Sequence, residues 1–256
     1  MIERTLASKV TSLAQKFQVI TLTGPRQSGK TTLVRATFPD LPYVSLEEPD
    51  IRQIALTDPR GFLSNYPNGV ILDEIQNTPE LFSYIQRIVD ENRQIQFILT
   101  GSSNFLLMEK ISQTLAGRTA VLHLLPFSLQ ELEPLADSYE NLIFKGQYPR
   151  IYDRTIPPTD FYPSHSQTYV DRDVRMIKNI GDINAFIQFT QLCAGRIGQP
   201  LNYASLANDA GISPNTAKSW LSILESSYIL YRLQPYHRNF NKRLIKSPKL
   251  YFYDTG

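Results

Sequence analysis

Short apolar runs rich in β-branched residues alternate with stretches of helical periodicity along the first hundred residues. The runs predicted as buried strands are residues 18–23, 43–46, 69–72 and 96–100. The stretches between them that predict helices, together with an amphipathic helix at the start of the chain, are residues 2–17, 30–37 and 79–91. This alternation is typical of a parallel sheet with crossover helices. The pattern therefore predicts an α/β fold for this part of the chain.

The pattern changes near residues 150–165, where prolines cluster. Proline blocks helix continuation, so we predict a linker or lid boundary there. Beyond it, helical patterns cover residues 183–196, 203–210 and 214–227, and β-rich runs cover residues 228–236 and 249–253. Ser213 suits the N-cap of the last helix and Pro214 suits its first position. This order predicts a helix-turn-helix followed by a β wing.

Composition narrows the class of protein. The 256-residue chain is 42% hydrophobic and 20% charged, which excludes disorder along its whole length. Its apolar runs fall far short of the roughly 18 residues that a membrane span needs, and the N-terminus lacks a signal-peptide pattern. We therefore expect a cytoplasmic protein. The one cysteine, Cys193, cannot form an internal disulfide and is expected in a core.

Candidate chemistry begins with the pattern G-x-x-x-x-G-K-T, which lies between the first predicted strand and a helix. Backbone N–H groups that converge at a helix N-terminus bind phosphate oxygens, and the glycines let the loop curl tightly. Lys30 would reach the terminal phosphates, and the Thr31 hydroxyl would coordinate Mg2+. The predicted nucleotide-binding residues are Gly24, Pro25, Arg26, Gln27, Ser28, Gly29, Lys30, Thr31 and Thr32. The pattern arises by chance in roughly 1 in 100 chains of this size, but its strand-to-helix setting favours a functional site.

Two carboxylates complete the predicted site. Asp73 and Glu74 follow the predicted strand 69–72. At the carboxyl end of a strand in a doubly wound sheet, Asp73 would hold Mg2+ directly or through water, and Glu74 would polarise the attacking water. An exposed acidic turn is the alternative interpretation. With Lys30, these residues predict the hydrolysis of a nucleoside triphosphate assisted by Mg2+.

Two further features are weaker candidates. Gly101, Ser102, Ser103 and Asn104 follow another predicted strand, where they would orient water, sense the γ-phosphate or simply form a turn. Arg118 is a candidate catalytic cation for transition-state charge, acting in its own subunit or in a neighbouring one. Surface arginines are common, so this role has an ordinary alternative.

Charge is unevenly distributed. Residues 1–150 hold 14 Lys+Arg against 16 Asp+Glu, whereas residues 196–249 hold 8 against 2. Such a basic stretch indicates an anionic partner, usually nucleic acid, or a solvated basic face. If DNA binds, the last predicted helix would face the major groove and the basic run after it would contact phosphates. The residues concerned are Asn215, Thr216, Lys218 and Ser219 for the groove, and Lys242, Arg243 and Lys246 for the phosphates.

These residues resemble a known family, the prokaryotic AAA-type ATPases that carry a C-terminal domain of unknown function with a restriction-endonuclease-like fold. The resemblance covers essentially the whole chain and is carried by residues 24–32, 46–50, 58–63, 72–76, 99–102, 112–118, 168–175 and 246–256. It implies an AAA-like (AAA+-like) P-loop core, a helical lid and a winged helix. It also implies adenine as the base, because the loop itself reads only phosphates. It strengthens Arg118 as an arginine finger or sensor, and adds Arg172 and Arg175 as weaker candidates.

The resemblance also suggests boundaries. We expect an AAA-like ATPase core over 1–140, a lid or linker over 141–182, a winged-helix domain over 183–247 and the start of a truncated C-terminal domain over 248–256. Family members continue from that point into the nuclease-like domain. Where they usually have two glycines before Tyr-Pro, this chain has Gly146 and Gln147.

Several functions remain open at this stage. One is an ATPase that acts as a nucleotide-driven switch, another is a DNA-binding module, and a third is a scaffold that binds ATP with negligible hydrolysis. Winged helices of AAA-type proteins also serve as lids or protein interfaces. A homo-oligomer is a further possibility.

Overall fold

The β-branched runs of the first hundred residues form a parallel sheet in the computed structural model. The structure describes residues 2–102, 111, 113–135, 138–170, 180–236 and 246–256. The chain forms two compact units, of which the first comprises Met1–Ala136 and Tyr148–Asp153. The second unit comprises Asp137–Gln147 and Arg154–Gly256.

The sheet of the first unit has the strand order β2-β3-β4-β1-β5, with every pairing parallel. Its strands are β1 (Val19–Thr23), β2 (Tyr43–Ser45), β3 (Gly69–Asp73), β4 (Gln96–Gly101) and β5 (Thr119–His123). Every residue of β1 and β3 is buried, which explains their continuously apolar or β-branched character. The sequence analysis predicted the first four strands and missed β5. Only Ala120 of β5 is buried, because β5 is an edge strand without a continuous apolar run.

The helices of the described residues include one in each of the six predicted helical stretches and others that were not predicted. In chain order they are α1 (Leu6–Ala14), α2 (Lys30–Thr37), α3 (Pro49–Thr57), α4 (Pro59–Ser64), α5 (Leu81–Glu91), α6 (Leu129–Leu132), α7 (Tyr139–Lys145), α8 (Pro149–Asp153), α9 (Pro158–Thr168), α10 (Ile183–Ala194), α11 (Tyr203–Asp209) and α12 (Pro214–Ser226). Short 3-10 turns lie at Ile75–Asn77 and Glu133–Leu135. The first helix is shorter than predicted, since the backbone N–H of Thr5 donates to the Glu131 carboxylate at 2.7 Å. None of the helices in the described part of the chain has the length and apolarity to cross a bilayer.

Apolar clusters cover both faces of the sheet. Successive residues of a strand point to opposite faces, so Phe97 and Leu99 of β4 join one cluster and Ile98 joins the other. The first cluster also contains Phe82 of α5, whereas the second contains Val34 of α2. This three-layer arrangement leaves the carboxyl ends of the strands as the edge from which functional loops emerge.

The second unit has a helical core beside an antiparallel strand pair. Phe186 and Phe189 of α10 pack edge-on against Trp220 of α12, with ring centroids 5.4 Å and 5.5 Å apart. Cys193 is buried in the same cluster, as expected, and burial raises the pKa of its thiol to about 12. Strands β6 (Leu230–Leu233) and β7 (Lys249–Phe252) follow the helices.

The predicted start of α12 is confirmed. The Ser213 hydroxyl accepts a hydrogen bond from the backbone N–H of Thr216, and Pro214 occupies the first turn. Strand β7 pairs with β6 within the second unit. The interpretation of these elements as a winged helix, and the predicted domain boundaries, stay predictions.

The expectation that proline blocks helix continuation was wrong at Pro163, whereas residues 154–157 lie outside any helix and the predicted linker or lid boundary near residues 150–165 stays a prediction. Helix α9 runs through Pro163, although proline in a helix interior costs roughly 3 kcal/mol relative to alanine. Tertiary contacts offset this cost, because Phe161 is buried and the Tyr162 hydroxyl donates to Asp254 at 2.5 Å. Pro158 is compatible with the helix because it lies in the first turn.

Burial in the sheet predicts a measurable difference between two phenylalanines. Phe97 is fully buried, whereas Phe144 of α7 is 62% exposed. Phe97→Ala should lower the free energy of unfolding by about 3–5 kcal/mol, because it removes apolar contacts and leaves a cavity. Phe144→Ala, the matched control, should change it by less than about 1 kcal/mol. Urea unfolding followed by circular dichroism measures both, and equal shifts would contradict this account of the core.

Candidate phosphate-binding site

The glycine-rich loop joins the carboxyl end of β1 to the N-terminus of α2. Gly24 has φ +152°, and a Cβ at this position would lie 2.1 Å from the carbonyl oxygen of Leu124. Gly29 has φ +92° and forms the left-handed N-cap of α2. Both positions therefore require glycine, since an L side chain would clash at the first and be strained at the second.

Lys30 lies over this loop rather than in solvent. Its ammonium donates to the carbonyl oxygens of Gly24 at 3.0 Å and Pro25 at 2.8 Å, and the residue is 6% exposed. Gln27 reaches φ +62° at the tip of the loop, and Thr32 is exposed on the first turn of α2. The loop thus holds a buried cation beside a helix N-terminus, which is a setting that favours anions.

Asp73, at the end of β3, accepts hydrogen bonds from hydroxyl groups of neighbouring elements. Its Oδ2 accepts from the Thr31 hydroxyl at 2.9 Å and from the Tyr43 hydroxyl at 2.7 Å, and its Oδ1 accepts from the Thr100 hydroxyl. The structure therefore brings together Thr31 and Asp73, the predicted metal ligands. Burial, reinforced by the bond to Asp73, raises the pKa of Tyr43, so the tyrosine stays protonated and donates.

Glu74 occupies an unusual backbone conformation next to Asp73. Its φ of +56° and ψ of +46° place it in the left-handed region, which costs roughly 1–2 kcal/mol for a residue with a side chain. Its carboxylate accepts from the Ser102 hydroxyl at 3.0 Å and from the Gln76 side-chain amide. Both the backbone and the side chain of Glu74 are thus held in place.

The donor set suits a nucleotide with Mg2+. Thr31, Asp73 and Thr100 supply hydroxyl and carboxylate oxygens, the hard ligands that Mg2+ prefers. The Ser28 hydroxyl is buried and has no hydrogen-bond partner among the described residues. Buried polar groups are usually paired, so this orphaned hydroxyl fits a loop that receives an anion.

Arg118 does not join this site. It immediately precedes β5, whose first residue, Thr119, pairs with Val19 at the amino end of β1. The loop leaves the opposite end of β1, about 15 Å away at the usual rise per strand residue. The Arg118 guanidinium binds both carboxylate oxygens of Asp90, at 2.6 Å and 2.9 Å, which lowers the pKa of Asp90. The prediction that Arg118 acts on its own loop is therefore corrected, while action on a neighbouring subunit stays a prediction.

Some site residues were missed in the sequence. Tyr43 and Thr100 each contact Asp73, and Gln76 contacts Glu74. Neither Tyr43 nor Thr100 was predicted to contact Asp73, because alternation along a strand does not reveal which polar residue meets a carboxylate at the sheet edge. Other candidates lie outside the described residues, namely Ser103, Asn104, Arg172, Arg175, Lys242 and Arg243.

The parallel sheet, the glycine loop between β1 and α2, and the acidic pair after β3 define the first unit as a P-loop nucleotide-binding fold. Residues 16–133 match the family described as AAA domain, and residues 136–256 match Domain of unknown function (DUF8612). The first unit is therefore similar to AAA-type P-loop domains. The restriction-endonuclease-like domain suggested by resemblance is not among the matched families.

The chain is similar to uncharacterized proteins and to a solved ATPase structure. An uncharacterized protein of Mycobacterium tuberculosis is 26% identical over 99% of this chain and 58% of its own length. An uncharacterized protein of Methanocaldococcus jannaschii is 25% identical over 93% of this chain and 61% of its own length. The chain thus spans about three fifths of these relatives. The Walker-type ATPase of Pyrococcus abyssi has a similar fold, with a TM-score of 0.63 at 15% identity over 100% of this chain and 94% of that one.

The close approach of Gly24 to Leu124 yields a test of the loop. Gly24→Ala should weaken ATP affinity by about tenfold or more, because the added methyl group forces the loop from its position. Gly117→Ala is the matched control, since Gly117 also has a positive φ of +76° but no described heavy atom within 4 Å of its ideal Cβ. Titration with a fluorescent ATP analogue measures both variants. Equal affinities for Gly24→Ala and the wild type would refute this description of the loop.

Proposed function

We propose that this protein hydrolyses ATP in a reaction that depends on Mg2+. The observation that carries the proposal is the convergence of Lys30, Thr31, Asp73 and Glu74 at one edge of the sheet, with Thr31 and Asp73 in direct contact. The AAA-domain match and the Walker-type fold support ATP as the nucleotide. Adenine in particular rests on the family resemblance.

Each residue has a distinct task in this proposal. The loop N–H groups and the Lys30 ammonium bind the phosphates, and Lys30 exchanges its loop carbonyls for phosphate oxygens. Thr31 and Asp73 hold Mg2+, which when bound supplies positive charge to the terminal phosphates. Glu74 orients and polarises the attacking water, while Ser102 and Gln76 hold its carboxylate.

The strongest alternative is a scaffold that binds ATP and turns it over negligibly. The held position of Glu74 favours hydrolysis over this alternative. A left-handed backbone at a non-glycine residue is unfavourable, and such strain is concentrated at active sites. A site that only bound phosphates would have no need of this carboxylate. In this proposal hydrolysis serves as a nucleotide-driven switch between two states of the protein.

Phosphate release separates hydrolysis from binding alone. Glu74→Gln should retain ATP affinity and lose turnover by about 100-fold or more, because the amide is a poor base. Lys30→Ala should lose affinity as well, since it removes the cation that contacts the phosphates. Removal of Mg2+ by chelation should abolish turnover by the wild type.

Glu80→Gln is the matched control, because Glu80 is an exposed glutamate six residues along the chain from Glu74. It should release phosphate at the wild-type rate. If the wild type releases phosphate no faster than Glu74→Gln and Lys30→Ala, the protein is not an ATPase under these conditions and the scaffold interpretation replaces it.

DNA binding by the second unit is a second candidate. In residues 196–249 the two acids are engaged, because Asp209 pairs with Arg196 and Glu225 pairs with Arg232. The stretch has more cations than acids, and Lys218, Lys246 and Lys249 are among its exposed cations. Asn215 is also exposed at the start of α12, whereas the Thr216 hydroxyl shares a hydrogen bond with Ser213. This excess charge supports an anionic partner.

Salt dependence tests the DNA candidate. In a variant with Lys242, Arg243 and Lys246 all changed to Ala, duplex affinity should fall and its salt dependence should flatten, by about 0.9 in log–log slope for each lost phosphate contact. The control carries Lys9→Ala, Lys16→Ala and Arg87→Ala, which remove exposed cations of the first unit. Unchanged affinity and slope in the first variant would exclude phosphate contacts by this basic run.

A further inference from the structure

The segment before α1 contributes a buried arginine to the phosphate loop. Arg4 has a side chain that is only 10% exposed, although no motif marks it in the sequence. Its Nη1 donates to the carbonyl oxygen of Ser28 at 2.7 Å. An ideal Cβ on Gly29 would lie 3.6 Å from the same nitrogen. The guanidinium therefore packs against the loop where the loop turns into α2.

A second nitrogen of Arg4 binds the backbone that follows β5. Nη2 donates to the carbonyl oxygen of Leu125 at 2.6 Å and to that of Pro126 at 3.4 Å. The guanidinium carbon lies 4.7 Å from the centroid of the Phe127 ring, in cation–π contact. Because a guanidinium is planar and rigid, it fixes the Ser28 carbonyl relative to the end of the sheet.

Glu131 holds the arginine in this orientation. Its carboxylate is 3% exposed and accepts from Arg4 Nε at 3.2 Å, as well as from the backbone N–H groups of Thr5 and Ser128. Burial opposes the charge of Glu131, but these hydrogen bonds outweigh it and lower the pKa of the carboxyl. Burial also lowers the pKa of Arg4, yet arginine stays protonated in proteins. The pair is therefore charged and geometrically fixed.

We propose that Arg4 is a positioning residue for nucleotide binding, which orients the Gly29 N–H toward the phosphates by holding the Ser28 carbonyl. The C=O of Ser28 and the N–H of Gly29 belong to one trans peptide plane, in which they point in opposite directions. Binding the carbonyl on the Arg4 side directs the N–H to the other side, where loop N–H groups receive phosphate oxygens. Without Arg4 the Ser28–Gly29 peptide can rotate. Nucleotide binding must then order this peptide, which costs free energy and weakens affinity.

This inference rests on the proposed nucleotide binding and is tested by separating affinity from turnover. Arg4→Lys keeps the charge but loses the planar fork, and Arg4→Ala removes both. Each should weaken ATP and ADP affinity by about tenfold, the loss expected for a hydrogen bond from a charged donor. Turnover at saturating ATP should stay within about threefold of wild type, because Arg4 does not touch the reacting atoms. Guanidinium ion at roughly 10 mM should restore part of the affinity of Arg4→Ala, since it refills the vacated site.

Arg87→Ala is the control, because Arg87 is exposed and pairs only with Glu91 of its own helix among the described residues. Circular dichroism of each variant gives its folded fraction. Wild-type affinity in Arg4→Lys and Arg4→Ala, or a loss explained by the unfolded fraction alone, would overturn the positioning role. If Arg4→Ala does not fold, the nucleotide affinity of Arg4→Lys decides whether Arg4 has the positioning role. If the wild type and Arg87→Ala also fail to bind ATP, it is the proposed function that fails.

Discussion

The carboxylate of Asp73 is the interaction on which the site depends. It receives hydroxyl groups from α2, β2 and β4 while standing at the end of β3, so one buried anion joins the helix after the phosphate loop to three strands. Asp73 is only 7% exposed, so its carboxylate needs hydrogen-bond donors in place of water, and the three hydroxyl groups supply them. The same oxygens are the ligands that Mg2+ prefers. The Asp73 carboxylate thus fixes neighbouring side chains at the sheet edge and also offers oxygen atoms of the kind that bind Mg2+.

Much of this arrangement could be predicted because it depends on local sequence. Strands β1 and β3 are buried on both faces and therefore appear as continuous apolar or β-branched runs, and the loop between β1 and α2 has fixed glycine positions. The edge strand β5 lacked such a run, and α9 contains a proline that local propensity alone would exclude. In both cases long-range packing decides the structure. Tyr43 and Thr100 meet Asp73 from segments that are distant in the sequence, so no spacing rule could identify these contacts.

The position of Arg118 shows that sheet topology determines which candidate residues can lie at the phosphate loop. It was a candidate catalytic cation by residue type, but the segment that enters a parallel strand and the segment that leaves it lie at opposite ends of the sheet. Arg118 precedes β5, whereas the phosphate loop follows β1, and the register pairs Thr119 with Val19 rather than with the loop. At this position Arg118 lies away from the phosphate loop of its own chain, and its action on a neighbouring subunit stays a prediction. The length of the strand, rather than the residue type, therefore determines that Arg118 lies away from the phosphate loop of its own chain.

The phosphate loop is anchored at both ends to the segment after β5. At its start, the absence of a side chain on Gly24 allows contact with the carbonyl of Leu124, and at its end Arg4 links Ser28 to Leu125. A loop that is held only by its flanking strand and helix would sample many backbone conformations, and each phosphate contact would then have to offset that entropy. Anchoring to a third segment reduces the conformational freedom before nucleotide arrives. We therefore expect the segment that follows β5, the strand with the weakest sequence pattern, to influence nucleotide affinity.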